Sequence, residues 1–149
     1  MYGGLAFRTI WGMNVKAHGV DLVDCNRLKQ SIERHGQRFL ERVFTPAELA
    51  YCQGRKREIE HLAGRFAAKE AVLKVLGTGW RNGIAWTDVE VRNQPSGQPK
   101  VTLYGRCREV ADELGLASIL ISISHIDTHA IASAIGVTES AGGAMGVGD

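Results

Sequence analysis

Leu62-Ala63-Gly64-Arg65-Phe66-Ala67-Ala68-Lys69-Glu70-Ala71-Val72-Leu73-Lys74 has the periodicity of a helix and carries an acidic residue on its apolar side. At ~100° per residue, Ile59, Leu62, Ala63, Phe66 and Leu73 form one apolar stripe, and Glu70 falls about 20° from Ile59, near its centre. A carboxylate there is predicted to be mostly buried. Burying it unpaired costs several kcal/mol or more, so Glu70 requires a cation, either a metal ion or a basic side chain. The helix is expected from about Glu58 to Leu76, with Gly77-Thr78-Gly79 stopping it.

Upstream, Lys16 to Val23 reads as a strand, because both of its alternating sets are largely apolar. Asp21 is then inside a central strand and becomes a second buried carboxylate. Asp24 or Asn26 caps a helix running towards His35, and Gln37 to Val43 makes a short basic continuation. Thr45-Pro46-Ala47-Glu48 starts another helix, with Thr45 as cap, Pro46 at the first position and Glu48 closing a capping box.

Downstream, Trp86 to Arg92 and Lys100 to Tyr104 alternate as strands joined by the polar turn Asn93 to Pro99. Cys107 to Leu114 is a short amphipathic helix ended by Gly115, and Ser118 to Ser124 and His129 to Val137 form a second hairpin. Two hairpins and packed helices make the class α+β, without internal repeats.

A chain of 149 residues, 44% apolar, can bury one core and does not require two domains. Residues 1–13 are expected to be a loose N-terminal extension, residues 14–138 the folded domain, and residues 139–149 a disordered Gly- and Ala-rich tail. A net charge of +2 gives no overall footprint for nucleic acid. Two basic clusters remain, Arg27, Lys29, Arg34, Arg38 and Arg42, then Arg55, Lys56, Arg57 and Arg65; they read as solvated faces or as local sites for acidic partners and phosphates. Cys25, Cys52 and Cys107 are too dispersed for a zinc ribbon or a Cys-x-x-Cys motif and suggest reduced thiols of a cytoplasmic protein. No apolar run approaches the ~20 residues of a membrane span, and the opening segment lacks a signal peptide's continuous apolar core.

Asp21 and Glu70, both expected to point inwards, would repel each other unless a shared cation separates them. Magnesium suits two carboxylates that leave room for waters and substrate phosphates. The alternative is that Glu70 pairs with Lys74, four residues on, while Asp21 caps a turn. Lys74, about 40° from Glu70 round the helix, can reach whatever Glu70 binds, and phosphate oxygens bridging metal and lysine explain both residues. Gly77-Thr78-Gly79 lets a bulky ligand approach the backbone, or simply caps the helix. His125 stands at a strand end where it can meet a base or a phosphate; His18, His35, His61 and His129 have no ligand spacing. Trp11, Trp80 and Trp86 are too scattered for a single-strand stacking platform.

Four blocks, Gly19 to Val23, Arg38 to Glu48, Ala63 to Gly79 and Ser122 to His125, together resemble the holo-[acyl-carrier-protein] synthase family over roughly residues 15 to 137. The resemblance implies the 4'-phosphopantetheinyl transferase fold, a small antiparallel sheet against a long central helix and shorter helices, assembled as a homotrimer with active sites shared between subunits. It implies transfer of 4'-phosphopantetheine from coenzyme A to a serine of apo acyl carrier protein, in fatty acid biosynthesis, with release of adenosine 3',5'-bisphosphate. By the same resemblance Asp21 and Glu70 hold Mg2+, and Lys74 contacts the transferred phosphate. Lys56, Arg57, Arg65, Gly77, Thr78 and His125 contact coenzyme A, and Arg27 meets the acidic carrier protein. Glu70 or a water on the metal takes the serine proton. The competing reading is a non-catalytic oligomeric module that docks an acidic protein or RNA through its basic clusters, with Glu70 and Lys74 as a structural pair.

Overall fold

The computed structural model describes residues 13–81 and 83–139. Strand β1 (Met13–Asp24) leads into helix α1 (Cys25–Val43), then α2 (Pro46–Cys52) and the long α3 (Glu58–Leu76). A 3-10 turn (Trp86–Asp88) precedes the hairpin of β2 (Val89–Asn93) and β3 (Pro99–Leu103). Helix α4 (Gly105–Glu113) follows, then the second hairpin, β4 (Leu116–His125) and β5 (His129–Glu139). One antiparallel sheet has the order β1-β5-β4, and β2 pairs with β3 alone. The α+β class and both hairpins are as expected. The extension and tail, apart from residues 13 and 139, lie outside the described residues.

Local chemistry accounts for the helix ends. Asp24 is the cap of α1, its Oδ1 accepting from the Asn26 and Arg27 amides at 2.9 and 3.1 Å. Gly36, at φ 64° and ψ −147°, interrupts α1 just before the expected continuation at Gln37. The capping box of α2 is complete: the Glu48 amide donates to Thr45 Oγ1 at 3.2 Å, and the Thr45 amide to Glu48 Oε1 at 2.8 Å. Helix α3 has the expected limits, and left-handed Gly77 ends it by donating its amide to the Leu73 carbonyl at 2.9 Å. The expected strand from Trp86 begins three residues late, because Asp88 Oδ2 accepts from the Ala85 amide at 3.1 Å and folds the segment into the 3-10 turn.

Helix α3 is the centre of the fold rather than a one-sided amphipathic element. The sheet covers one side of it, while α2 and β2 pack elsewhere on its surface. Ala63, Ala67, Ala68 and Ala71 are fully buried. Their small side chains let the sheet approach the helix axis, most closely at Gly19 of β1, where a Cβ would lie 2.2 Å from the Ala71 carbonyl oxygen.

Two expectations about carboxylates are corrected. β1 is an edge strand, since β5 takes the middle of the sheet, and the Asp21 side chain is 21% exposed. Its second apolar set, Val20 and Leu22, faces away from α3 and stays exposed, so alternation on both faces did not mean burial on both. Glu70 is half-buried at the rim of α3, and the charged residues buried in this helix are Glu60, Arg65 and Lys69.

Lys69, with no exposed surface, ties three elements together. Its ammonium lies 2.8 Å from Glu48 Oε1 of α2, and it donates to the Trp86 carbonyl at 3.1 Å and to the Val89 carbonyl. Glu48 Oε2 accepts from the Val91 amide at 2.9 Å. A buried ion pair survives only when its remaining donors and acceptors are also matched, as they are here. Burial holds the Lys69 pKa below the usual lysine value, against the opposing pull of Glu48.

Candidate active site

Helix α3 carries two groups of candidate site residues on different faces. Glu70 and Lys74, one turn apart, face β1. Five residues before Glu70, Arg65 is turned by about 140° towards the β2–β3 hairpin. The backbone contact at Gly19 brings β1 close enough for Asp21, two residues on, to meet the same face as Glu70 and Lys74.

At the first group, the Lys74 ammonium donates to the Val20 carbonyl at 2.7 Å and lies 3.5 Å from Asp21 Oδ1. Lys74 therefore pairs with Asp21, and the local pair with Glu70 does not form. Glu70 Oε1 instead accepts from the Trp80 indole at 3.4 Å. Burial raises the Glu70 pKa above the ordinary glutamate value; the Trp80 hydrogen bond opposes this, the Asp21 charge adds to it, and Lys74 opposes it least. Asp21, Glu70, Arg27, Ser31, Phe39 and Phe66 line one cavity of about 400 Å³. Arg27, expected at the carrier protein, thus opens onto the two expected metal ligands. Gly77 and Thr78 follow at the end of α3, where the Thr78 hydroxyl donates to the Gly79 carbonyl at 3.1 Å.

The second group surrounds Arg65, which is 4% exposed. Its guanidinium donates to Asn93 Oδ1 at 2.9 Å and sits 4.2 Å from the centre of the Tyr51 ring, while Arg55 lies over the same ring at 3.9 Å. The rings of His61 and His125 meet edge-on at 5.6 Å. His125 Nδ1 is 3.5 Å from Glu60 Oε1 without forming a hydrogen bond, and Arg57 Nε is 3.6 Å from Glu60 Oε2. Arg65 Nε and His125 Nδ1 are the buried side-chain nitrogens without a hydrogen-bond partner among the described residues. Both residues line a cavity of about 140 Å³ with Tyr51, His61 and Asn93. Glu60 also lines this cavity, and the two unpartnered nitrogens are candidate donors to an anion there. Burial, then the neighbouring His125, Arg65 and Arg55, holds the His61 pKa below the ordinary histidine value. Lys56, on the exposed loop before α3, is not part of the cavity lining.

The structure therefore joins Asp21, Glu70 and Arg27 around one cavity and Arg65 and His125 around another. Residue-type reasoning missed Tyr51, His61, Asn93 and Trp80. Trp80 and Trp86, set apart in sequence, stack with ring centres 3.5 Å apart. The aromatic residue directly after Gly79 was the available signal for Trp80. His61, one turn before Arg65, was the corresponding signal on the other face.

Known proteins are similar to this chain over most of its length. The profile of the 4'-phosphopantetheinyl transferase superfamily matches residues 17–133. A holo-[acyl-carrier-protein] synthase of Moorella thermoacetica is 48% identical over 122 residues, which span 82% of this chain and 92% of the relative. One of Koribacter versatilis is 46% identical over 117 residues, 78% of this chain and 94% of the relative. Among solved structures, the holo-[acyl-carrier-protein] synthase of Neisseria meningitidis superposes with a TM-score of 0.75 at 28% identity, covering 83% of this chain and 98% of that one. That of Helicobacter pylori, in complex with coenzyme A, gives 0.70 at 31% identity and covers 83% and 100%. The chain belongs to the 4'-phosphopantetheinyl transferase superfamily, among the transferases of the holo-[acyl-carrier-protein] synthase family.

Proposed function

We propose that this enzyme transfers the 4'-phosphopantetheine group of coenzyme A to a serine of apo acyl carrier protein, in fatty acid biosynthesis, and releases adenosine 3',5'-bisphosphate. Asp21 and Glu70 hold magnesium, and Lys74 contacts the transferred phosphate. The observation that carries this reading is the shared cavity of Asp21 and Glu70 with Lys74 beside it. The names of the relatives, and the coenzyme A in the Helicobacter pylori structure, support the choice of substrates.

The donor set suits a magnesium ion. Glu70 has a raised proton affinity, partly because Asp21 is near, so a cation between the two carboxylates relieves a cost already present in the fold. Among the described residues, no three His, Cys, Asp or Glu side chains are arranged to hold a metal. Two carboxylates alone suit an ion that takes the rest of its shell from water and phosphate, as magnesium does.

When bound, magnesium supplies positive charge to the pyrophosphate oxygens. An ammonium has three donors, of which Lys74 spends one on Val20 and directs another at Asp21; the third is available to a phosphate oxygen. The carrier serine attacks the β-phosphorus in line, its new P–O bond replacing the one to the departing bisphosphate. Arg65 and His125 accept the nucleotide phosphates, with their orphaned nitrogens as donors, and Lys56 and Arg57 reach the same ligand from the exposed loop. Glu70 or a water on the metal would take the serine proton. Arg27, exposed at the mouth of the carboxylate cavity, meets the acidic carrier protein.

A homotrimer completes the site. Val20 and Leu22 of β1, Leu120 of β4 and Ile131 of β5 expose an apolar sheet face opposite α3, and neighbouring copies would cover it. Such packing also offers a way to bring the anion cavity of one copy to the carboxylates of the next, which line separate cavities within one chain. The free, buried Cys25, Cys52 and Cys107 suit the reducing cytoplasm. The reading is tested by chromatography of adenosine 3',5'-bisphosphate released from coenzyme A. Release must require both apo carrier protein and a divalent cation; release unaffected by a chelator, or none at all, would sink it.

A further inference from the structure

Glu70 is approached by a neutral donor, although a lysine stands one turn away on the same helix. The indole Nε1–H of Trp80 points at Glu70 Oε1, while the Lys74 ammonium is engaged by Val20 and Asp21. Trp80 lies on Trp86 with ring centres 3.5 Å apart and planes inclined by 31°, and Trp86 lies 4.8 Å from Phe66. Phe66 and Glu70 are one turn apart on α3, so the aromatic stack leaves the helix at Phe66 and returns to it at Glu70. Its middle member is anchored from below, because the Trp86 carbonyl accepts from the buried Lys69 ammonium.

We propose that Trp80 is a positioning residue for Glu70: its indole N–H fixes one carboxylate oxygen and leaves Oε2 as the free oxygen for a divalent cation. The inference rests on the assignment of Glu70 as a magnesium ligand. The terminal torsion of a glutamate is broad, so an isolated Glu70 would sample many carboxylate orientations. An indole can only donate, so it orients the carboxylate without offering it a competing acceptor or a positive charge. A lysine in the same place would orient Glu70 equally well but would neutralise the charge that the cation needs. Packing on the Trp86 ring restricts the indole, so the orientation is built into the fold before any ligand arrives.

The experiment uses the whole protein saturated with coenzyme A, into which magnesium is titrated calorimetrically, for wild type, Trp80→Phe and Glu70→Gln. Phenylalanine keeps the stacked ring and removes the N–H. Loss of a hydrogen-bond partner behind a metal ligand weakens metal binding by about 10-fold or more, so Trp80→Phe is expected to melt like wild type yet bind magnesium about 10-fold more weakly. In a nitrogen-15 correlation spectrum, the Trp80 indole resonance, identified by its loss in Trp80→Phe, is expected to shift in Glu70→Gln. Wild-type magnesium affinity in a folded Trp80→Phe protein overturns the proposal, and so does an indole resonance unmoved by Glu70→Gln. If the wild type binds no magnesium, the assignment of Glu70 as its ligand fails and the proposed role falls with it. If Trp80→Phe does not fold, the Trp80 indole resonance is assigned from through-bond and through-space spectra of the wild type, and its shift in Glu70→Gln decides.

Discussion

Replacing Gly19 with alanine adds one methyl group at the point where β1 meets α3. That carbon would lie 2.2 Å from the Ala71 carbonyl oxygen and 2.9 Å from Lys74 Cβ, whereas ordinary contact begins at 3.4 Å. The nearer obstacle is backbone, so no change of rotamer relieves it; β1 must move from α3 by about 1 Å, or the helix must deform. Overpacking of this kind costs about 1–3 kcal/mol. For a domain of this size, a loss of ~2 kcal/mol lowers the melting temperature by about 5–10 °C. Function is expected to suffer more than stability. Asp21 is two residues from the clash and Lys74 is part of it, and a misplacement of ~1 Å at a reacting centre can cost on the order of 100-fold in rate. A thermal melt and the rate of carrier modification, measured on the same sample, separate the two effects. A Gly19→Ala protein with wild-type melting and a rate within about twofold of wild type would refute the link between this contact and the alignment of the site.

Lys69→Met leaves the buried Glu48 carboxylate without its cation and is expected to cost about 3–5 kcal/mol, with much of that recovered when Glu48→Gln is added; denaturant unfolding of both variants checks it. The thiols of Cys52 and Cys107 are pushed up by burial to about 11 and about 12, above the ordinary 9.0. Above about pH 9 the unfolded chain therefore loses these protons while the folded chain keeps them, and their contribution to stability falls as pH rises. Cys107→Ala should flatten part of this alkaline decline in melts across pH 8 to 11. If neighbouring copies share each active site, Arg65→Ala and Glu70→Ala proteins are each inactive, yet co-refolded mixtures regain activity in the adenosine 3',5'-bisphosphate assay; mixtures as inactive as their components would confine the site to one chain.

Elements set by local chemistry were legible in the sequence. The Thr45 and Glu48 capping box, the limits of α3 and the Asp24 cap each depend on residues within one turn of each other. Burial was harder to read. The stripe argument put Glu70 at the centre of a buried face because it assumed one apolar side, but α3 is covered by the sheet, α2 and β2. On such a helix the buried charge is Lys69, whose partner Glu48 belongs to another helix, and no spacing rule connects the two. Strand order was equally hidden: β1 carries apolar residues on both faces, yet it lies at an edge with Val20 and Leu22 uncovered within the chain. The candidate site residues came from family blocks and residue types. What those left out, Trp80 against Glu70 and Tyr51 between two arginines, depends on folded loops and on contacts between elements.

The central claim is that Asp21 and Glu70 form the centre at which phosphopantetheine is passed to a carrier protein. Its most direct test is the intact mass of apo acyl carrier protein after incubation with this enzyme, coenzyme A and magnesium. The wild type is predicted to add the mass of one phosphopantetheine group, and Asp21→Ala and Glu70→Ala to add almost none while remaining folded. An unchanged carrier mass with wild type, or full conversion by the folded Glu70→Ala protein, would contradict it.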